Sequence, residues 1–383
     1  MNTIKLYETD SMLCRFECKV TSCEKQDDNY KITLDQTAFF PEGGGQTCDT
    51  GVIGDANVFD VQEIDGEIYH FTNMPLAVGE TYTAAINFDE RFDKMQNHSG
   101  EHIVSGIISN KFGYHNVGFH LSDSVVTCDF DGMLTRNDLD EIEILANKAI
   151  WANTEIKAYY PSTDELKNTA YRSKLDLQEG IRLVEIVGVD TCACCAPHVK
   201  TTGQIGAIKL LQCEKNKGGV RIFMKCGMRA LNDYQSKYNN AAEISALLCA
   251  KQDEIADAVK ASLADKDALK YEITGLRRQL IDLKIAATAA TDGNICIIDK
   301  NLTADDMRYF ANNIVSKCQI VGVFSENEKG FNYICASNSV NLRDFGKQMN
   351  GTLNGKGGGS PNMIQGSVAC EKVEIEKFFS ANY

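Results

Sequence analysis

Two short blocks carry metal-donor side chains. The first is Asn97-His98-Ser99-Gly100-Glu101-His102. The second is Asp190-Thr191-Cys192-Ala193-Cys194-Cys195-Ala196-Pro197-His198. Histidines at i and i+4 share one face of an α-helix and can bind one cation together. Ile103, Val104, Ile107 and Ile108 supply the apolar stripe of that helix. The pair is half of a tetrahedral site, and imidazole and thiolate are the ligands zinc prefers. Cys194 and His198 form a C-x3-H unit that supplies the other half. Spacing alone does not choose among Cys192, Cys194 and Cys195. If both blocks hold one ion, the fold must bring residues 98–102 and 194–198 together.

The chain has 383 residues, enough for two or three domains with cores of their own. Its 43% hydrophobic and 24% charged residues are ordinary for a soluble globular protein. No apolar run is long enough to span a membrane. The N-terminal stretch lacks a signal peptide's apolar segment, and fifteen cysteines read as reduced thiols. A cytoplasmic location is expected. A net charge of −14 argues against generic binding to nucleic acid, so an RNA contact must be local and shaped.

Residues 1–90 alternate apolar and polar positions between turn signals, which predicts a small β-barrel or sandwich. Residues 91–228 mix helices with strands. One helix runs through TRNDLDEIEILANKAIWAN, with Thr135 and Asp138 as its capping pair. SVVTCDFDG, IRLVEIVGV, GAIKLLQCEK and GVRIFMKCG read as strands. Residues 229–287 carry a heptad seam, Leu269, Ile273, Leu276, Leu280 and Leu283, on a long helix or helical hairpin. Residues 288–383 read as a small α/β domain. The expected class is α+β: a barrel, a metal-binding α+β domain, a coiled-coil segment and a small α/β domain.

The stretch LDQTAFFPEGGGQTCDTG is no phosphate-binding P-loop, because no Gly-Lys-Ser/Thr follows its glycines. Gly43, Gly44 and Gly45 free the backbone for close approach, and Gln46 follows them as a polar group on a tight loop. TAFFPEGGGQ, NHSGEH and VDTCACCAPHVKTTGQIGAIKL together resemble the editing domain of alanyl-tRNA synthetase and the free-standing AlaX-type alanyl-tRNA editing proteins. The tail NGKGGGSPNMIQGS resembles the DHHA1 domain that ends the synthetase, so the likeness is to the long form of the editing protein.

The resemblance implies Zn2+ held by His98, His102, Cys194 and His198. It places Thr37 and Gln46 in the substrate pocket. It implies hydrolysis of the ester in Ser-tRNA(Ala) or Gly-tRNA(Ala). The synthetases read C-G-G-T-H where this chain reads Cys194-Cys195-Ala196-Pro197-His198, which puts the cysteine ligand in question. A full synthetase is not expected, since no aminoacylation domain precedes residue 34.

Two rival readings stand beside this one. His98 to His102 spells H-x-x-E-H, a metallopeptidase signature with Glu101 as general base, although such enzymes want a third carboxylate ligand. A closed four-ligand site also suits a zinc-stabilised RNA-binding protein. On an ideal helix Glu101 points about 100° away from His102, so an exposed side chain is expected there. Candidate tRNA contacts are Lys215, Lys217 and Arg221 around a glycine turn, and Lys356 before Gly357, Gly358 and Gly359. The heptad seam suggests a homodimer.

Overall fold

In the computed structural model, residues 3–122, 125–173 and 180–381 are described. Ser124, the first residue of the expected strand SVVTCDFDG, lies outside them. The alternation near the N-terminus becomes alternating burial. Along Arg15–Gln26, Phe16, Cys18 and Val20 turn inward while their neighbours face out. Six strands hydrogen-bond in a closed ring. Their order is Arg15–Gln26, Asn29–Leu34, Glu67–Thr72, Ala56–Ile64, Gly51–Ile53 and Thr81–Ile86, which returns to the first. Closure leaves no free edge, and register shifts at Val20/Ser22 and Val58/Asp60 bend the strands. Ile32, Leu34, Val61, Ile68 and Phe39 fill the interior.

The barrel leads into the 25-residue helix Phe88–Phe112, which ends on Gly113 in the left-handed conformation. A second core forms around this helix. It packs with a four-stranded antiparallel sheet, ordered Ile208–Asn216, Gly219–Cys226, Val126–Phe130, Asn116–Leu121. Helix Arg136–Trp151 starts with the capping box expected at Thr135 and Asp138 and buries Leu139, Ile142, Ala146 and Ile150. A three-stranded sheet, Ile156–Tyr159, Leu183–Ile186 and Asp190–Ala193, completes this part.

The chain divides into two compact units, residues 1–243 and 244–383. The second holds the 33-residue helix Ile255–Ala287 and a five-stranded sheet ordered Ile295–Asp299, Val321–Asn327, Gly330–Ala336, Met363–Val368, Gly355–Gly359. Only the first pair is parallel. The glycine segment around Lys356 is a strand at the sheet edge. Its pairing with Met363–Val368 requires bare backbone. A Cβ on Gly357 would lie 2.3 Å from the Gln365 carbonyl oxygen and 2.4 Å from the Tyr333 hydroxyl.

Candidate metal centre and cavity

The middle of helix Phe88–Phe112 is buried on every face, from Asn97 through Gly106. Two glycines make this possible. A Cβ on Gly106 would sit 2.6 Å from the Asp190 Cβ, and one on Gly100 would strike Cys226. His98 and His102 thus project from a rigid, enclosed rod.

The other donors lie on a loop shaped by charge. The buried Arg182 guanidinium donates from Nη1 to the carbonyls of Cys194 and Ala196, at 3.0 Å each. The Cys194 N–H donates back to the Arg182 carbonyl at 3.0 Å. Ser11 Oγ donates to the His198 carbonyl at 2.7 Å. These bonds fix the loop without the two glycines of the synthetase motif.

His98, His102, Cys194 and His198 present donor atoms that all lie within 4.8 Å of one another. Cys194 Sγ is 3.5 Å from His98 Nε2 and 3.4 Å from His198 Nε2. The thiol of this set is therefore Cys194. Cys192 groups with His102 and Asp190, and Cys195 with neither set. Behind the rings, Gln46 Oε1 is 2.9 Å from His98 Nδ1 and Ser99 Oγ is 3.0 Å from His198 Nδ1. His102 Nδ1 is buried and faces Asp190 Oδ2 at 3.5 Å. The Gln46 acceptor at His98 Nδ1 assigns the tautomer that leaves the His98 Nε2 lone pair directed at the cluster, the arrangement usual behind metal-bound histidines.

Burial, then the neighbouring His102 and His98, holds His198 well below its ordinary value and keeps it neutral. Burial pushes the Cys194 thiol well above its ordinary value. Three imidazoles and a thiol that a cation would deprotonate fit a soft or borderline divalent metal. The group at His102, Asp190 and Cys192 differs. Both Asp190 oxygens accept from Arg172, at 2.7 and 2.6 Å, so its charge is already matched. Burial opposes ionisation of Asp190, but Arg172 and His102 hold it below the usual carboxylate range.

A cavity of about 480 Å³ opens onto the cluster, lined by His98, His102 and Cys194 together with Gly44 and Gly45. Lys5, Arg172 and Arg182 line it beside Glu8 and Glu101, with Lys5 paired to Glu63 and Arg172 to Asp190. Gly44 and Gly45 both take positive φ, 60° and 83°, and a Cβ on Gly45 would lie 2.7 Å from the Phe119 carbonyl oxygen. Gly43 closes the tight turn by exchanging backbone hydrogen bonds with Gln46, both at 3.0 Å. The loop is anchored from below by the Arg91–Asp49 ion pair. Arg91 Nη2 also donates to the Ala38 carbonyl at 2.7 Å, and Asp49 Oδ2 accepts from the Phe40 N–H at 2.6 Å.

Several expected residues sit elsewhere than the sequence implied. Glu101 is 2% exposed, not solvated, and it lines the cavity. Ser105 Oγ donates to its Oε1 at 2.6 Å, Asn116 Nδ2 donates to the same atom, and its Oε2 lies 3.9 Å from His102 Nε2. Gln46 stands behind His98 and does not line the cavity. Thr37 is not brought to the cavity either. It is fully buried, accepts from the Phe39 N–H at 3.1 Å, and bonds His70 Nε2 at 2.8 Å. Burial lowers His70 to about 4, so this ring is neutral, and its Nδ1 faces the Ile32 carbonyl at 3.3 Å. Lys215 and Lys217 are exposed at a two-residue hairpin turn, Lys217-Gly218, with positive φ at both positions. Arg221 is already paired with Asp129 through two bonds of 2.7 Å.

Comparison with known proteins places these features in a class. Residues 7–90 match the family described as tRNA synthetases class II (A), and residues 181–223 match the Threonyl and Alanyl tRNA synthetase second additional domain. Along nearly its full length the chain is similar to alanyl-tRNA editing proteins. It is 28% identical to the alanyl-tRNA editing protein AlaX-L of Pyrococcus horikoshii, over 97% of this chain and 96% of that protein. It is 27% identical to the alanyl-tRNA editing protein Aarsd1 of Rattus norvegicus, over 97% and 96%. The alanine–tRNA ligase of Ignicoccus hospitalis is 27% identical over 97% of this chain, which spans 42% of that protein. Among the described residues, no helix is long and apolar enough to cross a membrane.

Replacing Thr37 with Val should leave the Phe39 N–H and His70 Nε2 unpaired in the barrel interior. The expected cost is about 1–3 kcal/mol of stability, read from a denaturation midpoint. A rate loss confined to Ser-tRNA(Ala), with stability unchanged, would instead return Thr37 to the substrate.

Proposed function

We infer that this protein is a trans-editing deacylase that hydrolyses the ester of tRNA(Ala) mischarged with serine or glycine. The observation that carries this reading is the opening of a cavity onto three of the four metal donors. A purely structural site would be closed on all sides. His98, His102, Cys194 and His198 would hold Zn2+, which when bound supplies a Lewis acid beside the ester. The chain's own groups do the rest. Arg182, and Lys5 more weakly because Glu63 already pairs with it, would attract the phosphates of the acceptor end. Glu101, fixed by Ser105 and Asn116, takes the proton from the attacking water. The carbon–oxygen bond to the ribose then breaks, the ribose oxygen is protonated, and free amino acid and tRNA leave.

Lys215 and Lys217 at the hairpin tip, and Lys356 at the edge of the C-terminal sheet, are proposed to touch tRNA backbone. Arg221 contributes less, since Asp129 already compensates it. The C-terminal unit is read as DHHA1-like, and the protein as one that works in the cytoplasm. The H-x-x-E-H peptidase reading is disfavoured by the Cys/His second half of the site, where such an enzyme needs a carboxylate.

The deciding experiment is deacylation of Ser-tRNA(Ala), Gly-tRNA(Ala) and Ala-tRNA(Ala), with and without a chelator. Mischarged species should be hydrolysed well ahead of Ala-tRNA(Ala), and chelation should stop the reaction. Hydrolysis of peptides, with the tRNA esters untouched, would overturn the assignment.

A further inference from the structure

The cavity is larger than the acyl group it has to receive. At about 480 Å³ it has the size of a site that holds a drug-sized ligand, and a seryl or glycyl group fills a small part of it. Its two ends differ. His98, Glu101 and His102 are almost fully buried and mark the inner end, where the reacting carbonyl belongs. Tyr160 marks the mouth and is 54% exposed. Among the described residues that line the cavity, Phe119 and Tyr160 carry the only rings besides histidine. Phe119 belongs to the inner end, with its ring centroid 4.8 Å from that of His98. Tyr160 is the ring left for whatever extends outward from the ester.

This ring is held in place. Tyr160 follows the strand Ile156–Tyr159, and Tyr159 pairs with Leu183, next to the Arg182 that shapes the Cys194 loop. Pro161 keeps the backbone of Tyr160 extended. The hydroxyl is hydrogen-bonded to Glu8, on the short helix Leu6–Thr9. Tyr7 pins that helix to the barrel core, edge-on to Phe40 with centroids 5.4 Å apart. Burial, then Glu8, pushes the Tyr160 phenol up to about 12, so at neutral pH the hydroxyl donates and the carboxylate accepts. A bond that only clasped two segments would need no open ring beside a cavity. Here the ring is fixed at its hydroxyl end while more than half of its surface stays open. A ring with so little freedom left to lose is a platform on which an unpaired base can stack.

We propose that the mouth of the cavity is a nucleoside subsite: the base of the terminal adenosine of tRNA stacks on Tyr160, and its ribose ester reaches inward to Glu101 and the metal donors. The proposal rests on the deacylase reading, which makes the alcohol of the ester a ribose. Stacking tolerates any sequence, so Tyr160 sets where the ester sits and leaves the identity of the tRNA to other contacts.

The test is calorimetric binding of the uncharged trinucleotide C-C-A to the full-length protein, which needs no hydrolysis. The wild-type protein should bind it, and Tyr160→Ala should bind it at least roughly tenfold more weakly, the loss expected for one stacked base. Tyr160→Phe keeps the ring and loses the bond to Glu8, and should bind close to wild type. KM for Ser-tRNA(Ala) should rise in Tyr160→Ala and return in Tyr160→Phe. No binding of C-C-A at millimolar concentration, or equal binding by wild type and Tyr160→Ala, would overturn the proposal. So would a loss in Tyr160→Phe as large as in Tyr160→Ala, which would make Tyr160 a clasp for Glu8. Binding of C-C-A that depends on the Tyr160 ring, with no deacylation of any tRNA ester, would instead overturn the deacylase reading and leave the nucleoside subsite standing.

Discussion

Purified protein is expected to carry about one zinc per chain, and His98→Ala or His102→Ala to lose metal and deacylation together. Each substitution removes one Nε2 from a set of four donors already within 4.8 Å. The groups behind the rings give the comparison that makes the result specific. Gln46→Ala and Asp190→Asn keep all four donors but loosen His98 and His102. Their metal affinity should fall by about 10–100-fold, the range usual for such supporting groups. The histidine variants should lose more than that. Elemental analysis finding undiminished zinc in both histidine variants would remove the assignment.

Glu101→Gln should keep the metal and lose the chemistry. The amide oxygen can still accept from Ser105 and Asn116, so the helix and its histidines stay in place. What disappears is the proton acceptor beside His102. Loss of a general base typically costs about 10²–10⁴ in rate, and the acid limb of the pH–rate profile should vanish with it. Full zinc content with a rate reduced less than about tenfold would make Glu101 a support for the helix rather than a base.

The metal donors were legible in the sequence because histidine and clustered cysteine have few other reasons to recur at such spacing. The choice of Cys194 rested on the family resemblance and not on spacing, since three thiols within four residues differ only in where the loop turns them. The groups that set that turn, Arg182 and Ser11, are ordinary polar residues whose role exists only once the chain is folded. Asp190, Arg172 and Ser99 escaped notice for the same reason. Gln46 was singled out for the pocket and is found bonded to His98 from behind. The expectation of a solvated Glu101 failed because it assumed a helix with one buried face. Gly100 and Gly106 let neighbours close in on this one from all sides. Thr37 shows a different limit. Alternation gave the parity of the strand, but the partner that claims its hydroxyl, His70, lies on a strand 33 residues away.

The crowding of donors into Cys192, Cys194, Cys195 and His198 has a consequence for how the protein is made. A disordered chain can wrap those four around an ion with no help from the helix, whereas the native set must recruit His98 and His102 across nearly a hundred residues. A zinc ion bound at this site would therefore have affinity for the unfolded chain as well as the folded one, and would stabilise the fold by less than its native affinity alone would suggest. An ion captured early by three thiols must exchange two of them for imidazoles before the cavity can form. Refolding in excess zinc should be slower than refolding in its absence followed by metal addition.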